Sequence, residues 1–132
     1  MKLIAASADK NWTNDQNVTV LANDADPLEL SLDGVDRIDL NFPKFTDGRA
    51  FSQAFLLRRR LGFRGEIRAT GDVLVDQLPQ MQRSGFDVAV LRADQDPVVA
   101  QRVLASYPGY EVGKYQGDAQ DTRPHFITAA TV

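Results

Sequence analysis

The sequence predicts an α/β fold: a mostly parallel open sheet of about five strands with flanking helices. Two observations carry that reading. Short runs rich in Val, Ile and Leu recur along the chain, and most are followed by an amphipathic segment of roughly 10–14 residues, an ordinary helix length. The connections are short, which favours right-handed βαβ units and therefore parallel pairing. A half-barrel-like βα arrangement is the alternative, because five strands do not suffice for an eight-stranded barrel.

The elements follow in order. Met1 to Ala8 begins like a leader, but its apolar stretch stops at Asp9-Lys10, too short for a secretory core. It reads as a short strand or a loose terminus of a cytoplasmic protein. Val18-Thr19-Val20-Leu21 is a strand, and the Asn/Asp-rich turn to Pro27 starts a short helical turn that Gly34 ends. Asp36 to Phe42 alternates polar and apolar residues and reads as the second strand, closed by Pro43. Asp47 is placed to cap a helix from Gly48 to Leu61, with Gly62 just past its end. Ala50, Ala54, Leu57 and Leu61 form its buried stripe, widened by Phe51 and Phe55. Arg58, Arg59 and Arg60 suit the negative end of the helix dipole.

Residues 66–70 form the third strand, closed by Gly71. Pro79 divides the next segment, because an interior proline costs about 3 kcal/mol in a helix. The sequence therefore expects a helical turn over 72–77 and a fresh helix with Pro79 at its first position, ended at Ser84-Gly85. Phe86 to Leu91 is apolar enough for a central strand. Asp96-Pro97 opens a last helix with Val99, Val103 and Tyr107 as its stripe, and 110–112 reads as an edge strand. The expected core holds Ile38, Leu40, Ala54, Leu57, Ile67, Ala69, Val88, Val90, Val99 and Val103.

All 132 residues fit one domain, 1–132, with a core over about 17–113 and a loose C-terminal tail over 114–132. An apolar fraction of 43% with 25% charged residues is that of a globular chain, not a disordered one. The absence of cysteine excludes disulfides, thiolate-held metal clusters and a cysteine nucleophile. His125 is the single histidine, so a histidine metal cage or a Ser-His-Asp triad is not expected. No run reaches the roughly 18 apolar residues of a membrane span.

Charge is unevenly placed. Residues 1–48 hold four basic and nine acidic side chains, and 69–132 hold five and eight. Between them Arg49, Arg58, Arg59, Arg60, Arg64 and Arg68 face one acid, Glu66. A solvated helix face explains this cluster, and so does a docking patch for an acidic partner or anion. With a net charge of −3 and no aromatic interleaving, nucleic acid is not an expected partner.

In parallel α/β folds ligands gather beyond the carboxyl ends of the strands, where helix N-termini also point. That rule selects Lys44, Asp47, Arg49, Arg68, Asp72, Asp76, Gln77 and Arg92 as the candidate anion- or partner-binding set. Arg49 is expected to reach across to Asp72 or Asp76, with Arg68 sharing the pairing. No catalytic residue stands out. No Walker loop or GxGxxG follows any strand, so no resident cofactor is expected. Asp36 and Asp39 face opposite sides of their strand, and Asp72 with Asp76 lacks a third ligand for Mg²⁺.

Several stretches are familiar. Asn41-Phe42-Pro43-Lys44-Phe45-Thr46-Asp47-Gly48-Arg49, Leu57-Arg58-Arg59-Arg60-Leu61-Gly62, 65–74, Asp76-Gln77-Leu78 and Gly85-Phe86-Asp87 together resemble one bacterial domain-of-unknown-function family. Its members are commonly encoded beside assimilatory sulfite reductase and labelled oxidoreductases of sulfite reduction. The resemblance is close over 35–92 and looser over 17–112. It implies an accessory protein of sulfur assimilation that docks to the reductase or its electron donor. It also leaves room for an enzyme or sensor binding a small oxyanion at Lys44, Arg49 and Arg68, and for an oxidoreductase with an externally supplied cofactor. Members often carry a cysteine where Ser84 stands here, which removes a thiol role.

Overall fold

The structure is a computed structural model, and it describes residues 1–6 and 17–106. Five strands, β1 (Lys2–Ile4), β2 (Val18–Leu21), β3 (Arg37–Phe42), β4 (Glu66–Gly71) and β5 (Val88–Val90), form one sheet in the order β1-β5-β4-β3-β2. Every pairing is parallel. The α/β expectation therefore holds, with one exchange: the fifth strand is the N-terminal one, while 110–112 lies outside the described residues.

Strands β2 to β5 are laid side by side in chain order. Right-handed crossovers between successive neighbours put their helices on one face, and the packing shows it. Buried residues of α1 (Arg49–Arg59), α2 (Leu78–Ser84) and α3 (Pro97–Ala105) join one cluster with Ile38, Leu40, Phe42, Ile67, Ala69 and Ala89. On the opposite face Ile4, Val88 and Val90 form a separate small cluster to which no described helix contributes. The architecture is the parallel open sheet with flanking helices that the sequence predicts. No described helix is long and apolar enough to cross a membrane.

Local chemistry accounts for the boundaries. Asp26 accepts the Leu28 N–H at 2.9 Å and caps a short 3-10 turn, Pro27–Glu29. Pro79 divides the segment, but the turn before it is a 3-10 turn over Val75–Gln77 rather than 72–77, and α2 begins one residue earlier than expected, at Leu78. Gly85 ends α2 at φ 115°, and Asp96 caps α3 through the Val98 N–H at 2.8 Å. Gly48, not Asp47, is the N-cap of α1, and the helix ends at Arg59 instead of Leu61.

Three core assignments shift. Val99 is exposed and Val103 only partly buried; Ala100 and Leu104 carry the α3 stripe instead. Both pairs are four apart, so the stripe is moved by one residue, about 100° around the helix. Phe55 is exposed, with the Arg59 guanidinium 5.6 Å above its ring. Phe51 turns inward against Phe42, ring centroids 5.0 Å apart.

Of the arginine triplet, Arg58 alone is internal, its side chain 1% exposed. It donates to the carbonyls of Gly85 (3.0 Å), Phe63 (2.9 Å) and Gly65 (2.7 Å), and forms a salt bridge with Asp87. Burial pushes its pKa down and Asp87 pulls it back up. Asp87 also accepts the Ile67 N–H at 3.1 Å. One guanidinium thus joins the end of α1, the approach to β4 and the approach to β5.

Arg58→Met should lower unfolding free energy by about 3 kcal/mol, since three carbonyls and an aspartate lose their donor. Arg60→Met, on the exposed neighbour, should change it by less than about 0.5 kcal/mol; urea denaturation compares the two. Gly71 has φ 92°, and a Cβ there would lie 2.5 Å from both Asn41 Oδ1 and the Phe42 carbonyl oxygen. Gly71→Ala should therefore cost about 2–3 kcal/mol in the same assay.

Candidate functional site

The carboxyl ends of β2 to β5 carry four loops, and side chains stitch each to the next. Asn23, after β2, donates to Asp47 Oδ2 at 2.8 Å, and Gln53 of α1 donates to the carbonyls of Ala22 and Ala25 at 2.8 and 2.9 Å. The loop after β3 is held at one residue from both sides. The Phe45 N–H donates to Asp72 Oδ2 at 3.0 Å, and Gln77 Nε2 donates to the Phe45 carbonyl at 2.7 Å. Asp72 Oδ1 accepts from Arg92 Nη1 at 3.1 Å, which ties the loop after β4 to that after β5. Arg92 also holds Asp94 through two contacts of 2.7 and 2.8 Å, while Gln95 accepts the Val75 N–H at 2.9 Å.

This stitched edge still presents exposed side chains to solvent. Lys44 and Phe45 are exposed, Phe45 by 50% despite its doubly bonded backbone. Arg49 is 65% exposed in its side chain and reaches only Asp47, at 3.9 Å. The loop and the start of α1 thus expose Lys44, Phe45 and Arg49, and Asp47 accepts the Arg49 N–H at 3.1 Å.

Six of the eight expected residues share this edge as connected or adjacent groups: Lys44, Asp47, Arg49, Asp72, Gln77 and Arg92. Asp76 is exposed on the 3-10 turn and pairs with none of the arginines expected of it. Two expectations are corrected. The arginine that meets Asp72 is Arg92, not Arg49, because Arg92 follows the neighbouring strand while Arg49 starts a helix that leads away. Arg68 does not reach the edge at all. It neighbours Ile67 and Ala69, both on the helix-covered face, so strand alternation turns it to the other side. There it grips Asp39 through Nε at 3.2 Å and Nη2 at 2.6 Å.

Asp39 was not among the expected residues. It lies in β3 at 5% exposure, clamped a second time by Arg37 through Nε at 2.9 Å and Nη2 at 3.4 Å. A signal existed: Arg37 and Asp39 in β3, and Arg68 in β4, alternate with the apolar residues Ile38, Leu40, Ile67 and Ala69. Among the described residues no group of three or more His, Asp or Glu side chains is placed to hold a metal ion. The edge offers the cations Lys44 and Arg49 and the exposed Phe45 side chain, together with the carboxylates Asp47, Asp72, Asp76 and Asp94.

Charge pairing at the edge has a pH signature. Hydrogen bonds from Arg92 and Gln95 hold the Asp94 carboxyl at about 2, below its ordinary 3.8. A depressed carboxylate pKa stabilises the fold above the unfolded value and loses that contribution as pH falls through the folded one. NMR titration should place the Asp94 midpoint near 2 in the native protein, and Arg92→Ala should return it to about 4.

No curated protein and no solved structure matches this chain. The family described as "Bacterial protein of unknown function (DUF934)" matches residues 18–126, from β2 through the whole candidate edge and beyond α3. That span is most of the sequence, and the chain belongs to this bacterial family.

Proposed function

We propose that the protein is an accessory factor of assimilatory sulfite reduction, docking to an acidic surface of the reductase or of its electron donor. The pathway assignment rests on the resemblance carried by Asn41 to Arg49 and the stretches after it. The docking role rests on one observation: the loop after β3 is pinned at Phe45 by Asp72 and Gln77, yet Phe45 is half exposed on a segment whose Lys44 and Arg49 are exposed too.

Folding gains nothing from leaving a large aromatic side chain half in water. Holding its backbone still limits the entropy lost when a partner covers the ring. Exposed aromatics and arginines are the residue types that dominate binding energy at protein interfaces, and rim cations accelerate encounter with acidic surfaces. The larger arginine cluster contributes less than its sequence suggests, because Arg58 and Arg68 are turned inward.

Affinity capture from sulfate-grown cells should retain sulfite reductase or its electron donor. Phe45→Ser and the double variant Lys44→Glu/Arg49→Glu should each reduce that association about tenfold or more, with unfolding midpoints within a few degrees of the parent. A deletion strain should grow on sulfide but not on sulfite, and only the parent sequence should restore growth. Repeated capture without any sulfite-assimilation enzyme defeats the proposal, as does capture unaffected by these changes.

A further inference from the structure

We propose that two copies of this chain pair about a two-fold axis, through the outward surface formed by α1 and the acidic segment beside it. The pairing goes beyond the docking role and does not use the Phe45 loop.

This surface joins two stretches of opposite charge. From residue 17 to residue 36 the chain has no lysine or arginine, and Asp24, Asp26, Glu29 and Asp33 are all exposed. From Gly48 to Gly65 it has no aspartate or glutamate. Arg59 on α1 and Arg60 just past its end are both exposed. The two stretches lie side by side, because Gln53 of α1 donates to the carbonyls of Ala22 and Ala25 and so fastens one flank of the helix to the acidic segment. Leu56 and Arg60 follow Gln53 by three and seven residues, which puts them on that same flank, about one and two turns further along. Among the described residues no ion pair joins these arginines to these acids. The opposite charges stand next to each other without cancelling.

Each stretch also carries a large apolar side chain in water. Leu28 is 45% exposed on the 3-10 turn between Asp26 and Glu29, and Phe55 is 42% exposed on α1 beneath the Arg59 guanidinium. A single exposed apolar residue is ordinary. Here each one is set within a field of one sign, the arrangement of an apolar centre with a charged rim.

The partner that fits both halves is a second copy. A two-fold contact brings the same surface of each molecule together, so it must be self-complementary. With an acidic strip beside a basic one, an axis between them lays each strip on its opposite in the other molecule, and both attractive contacts form at once. A uniformly acidic partner would meet repulsion at Asp24 and Glu29, and a uniformly basic one at Arg59 and Arg60. Leu28 of one molecule would then lie over the Leu56 and Phe55 side of the other.

Sedimentation equilibrium of the full-length protein tests this, at about 100 μM, where a micromolar interface is filled, and in about 20 mM and about 500 mM sodium chloride, which screen weakly and strongly. A dimer is expected at low salt, with association at least about tenfold weaker at high salt. Arg59→Glu/Arg60→Glu and Asp24→Lys/Glu29→Lys should each be monomeric, because each sets like charges against each other. An equimolar mixture of the two should form a heterodimer, since both halves of the contact again join opposite signs. Leu28→Ser should weaken the parent dimer about tenfold without altering charge. If circular dichroism shows a charge-reversed variant to be unfolded, the salt series and Leu28→Ser decide. A parent that is monomeric at low salt overturns the proposal. So does a dimer that survives charge reversal, a mixture that stays monomeric, or association that Leu28→Ser leaves unchanged.

Discussion

Arg58 is the point at which the local elements become one structure. Strands β4 and β5 are preceded by irregular segments whose carbonyls, at Phe63, Gly65 and Gly85, have no ladder partner on that side. Buried carbonyls of this kind need donors, and a single guanidinium supplies three of them from the last turn of α1. The same side chain neutralises Asp87, which in turn receives the Ile67 N–H. The spacing of β4 and β5 below the helices is therefore set by a rigid planar group, which a flexible ammonium could not replace. Gly65 fits this corner because a side chain there would meet the Asp36 carbonyl oxygen at 2.5 Å.

The opposite end of the sheet is built differently. Its loops are joined by a row of separate polar contacts, Asn23 to Asp47, Phe45 to Asp72 and Gln77, Asp72 to Arg92 and Gln95 to Val75, each bridging only adjacent loops. Losing one loosens a neighbour without releasing the rest. Such a surface can hold a shape for recognition while its individual contacts stay weak, since exposed charge pairs contribute little each. The buried end keeps the fold together and the stitched end presents it.

Much of this was legible in the residues. Alternation located β3, Pro79 divided a turn from α2, and Asp96-Pro97 marked the start of α3. The misplaced parts have physical causes. In α3, Val98, Val99, Ala100, Val103 and Leu104 are all apolar, so composition leaves the phase of the stripe open and packing against α2 decides it. β1 has three residues, too few for a periodic signal, and its place beside β5 depends on residues more than eighty positions away. Arg68 could have been read correctly: its parity against Ile67 and Ala69 determines its face, whereas closeness to the strand end does not. The Arg92–Asp72 contact spans twenty residues and carries no local pattern.

The strand order also bears on the sequence of events during synthesis. β3, β4 and β5 each pair with the strand made just before them, starting from β2, so the sheet can lengthen as the chain emerges. β1 is the exception. It precedes them in the chain, but Leu3 has no partner until Ala89 exists. The earliest of the described strands must wait for the latest, and until it docks the β5 edge remains an open template for pairing with another chain.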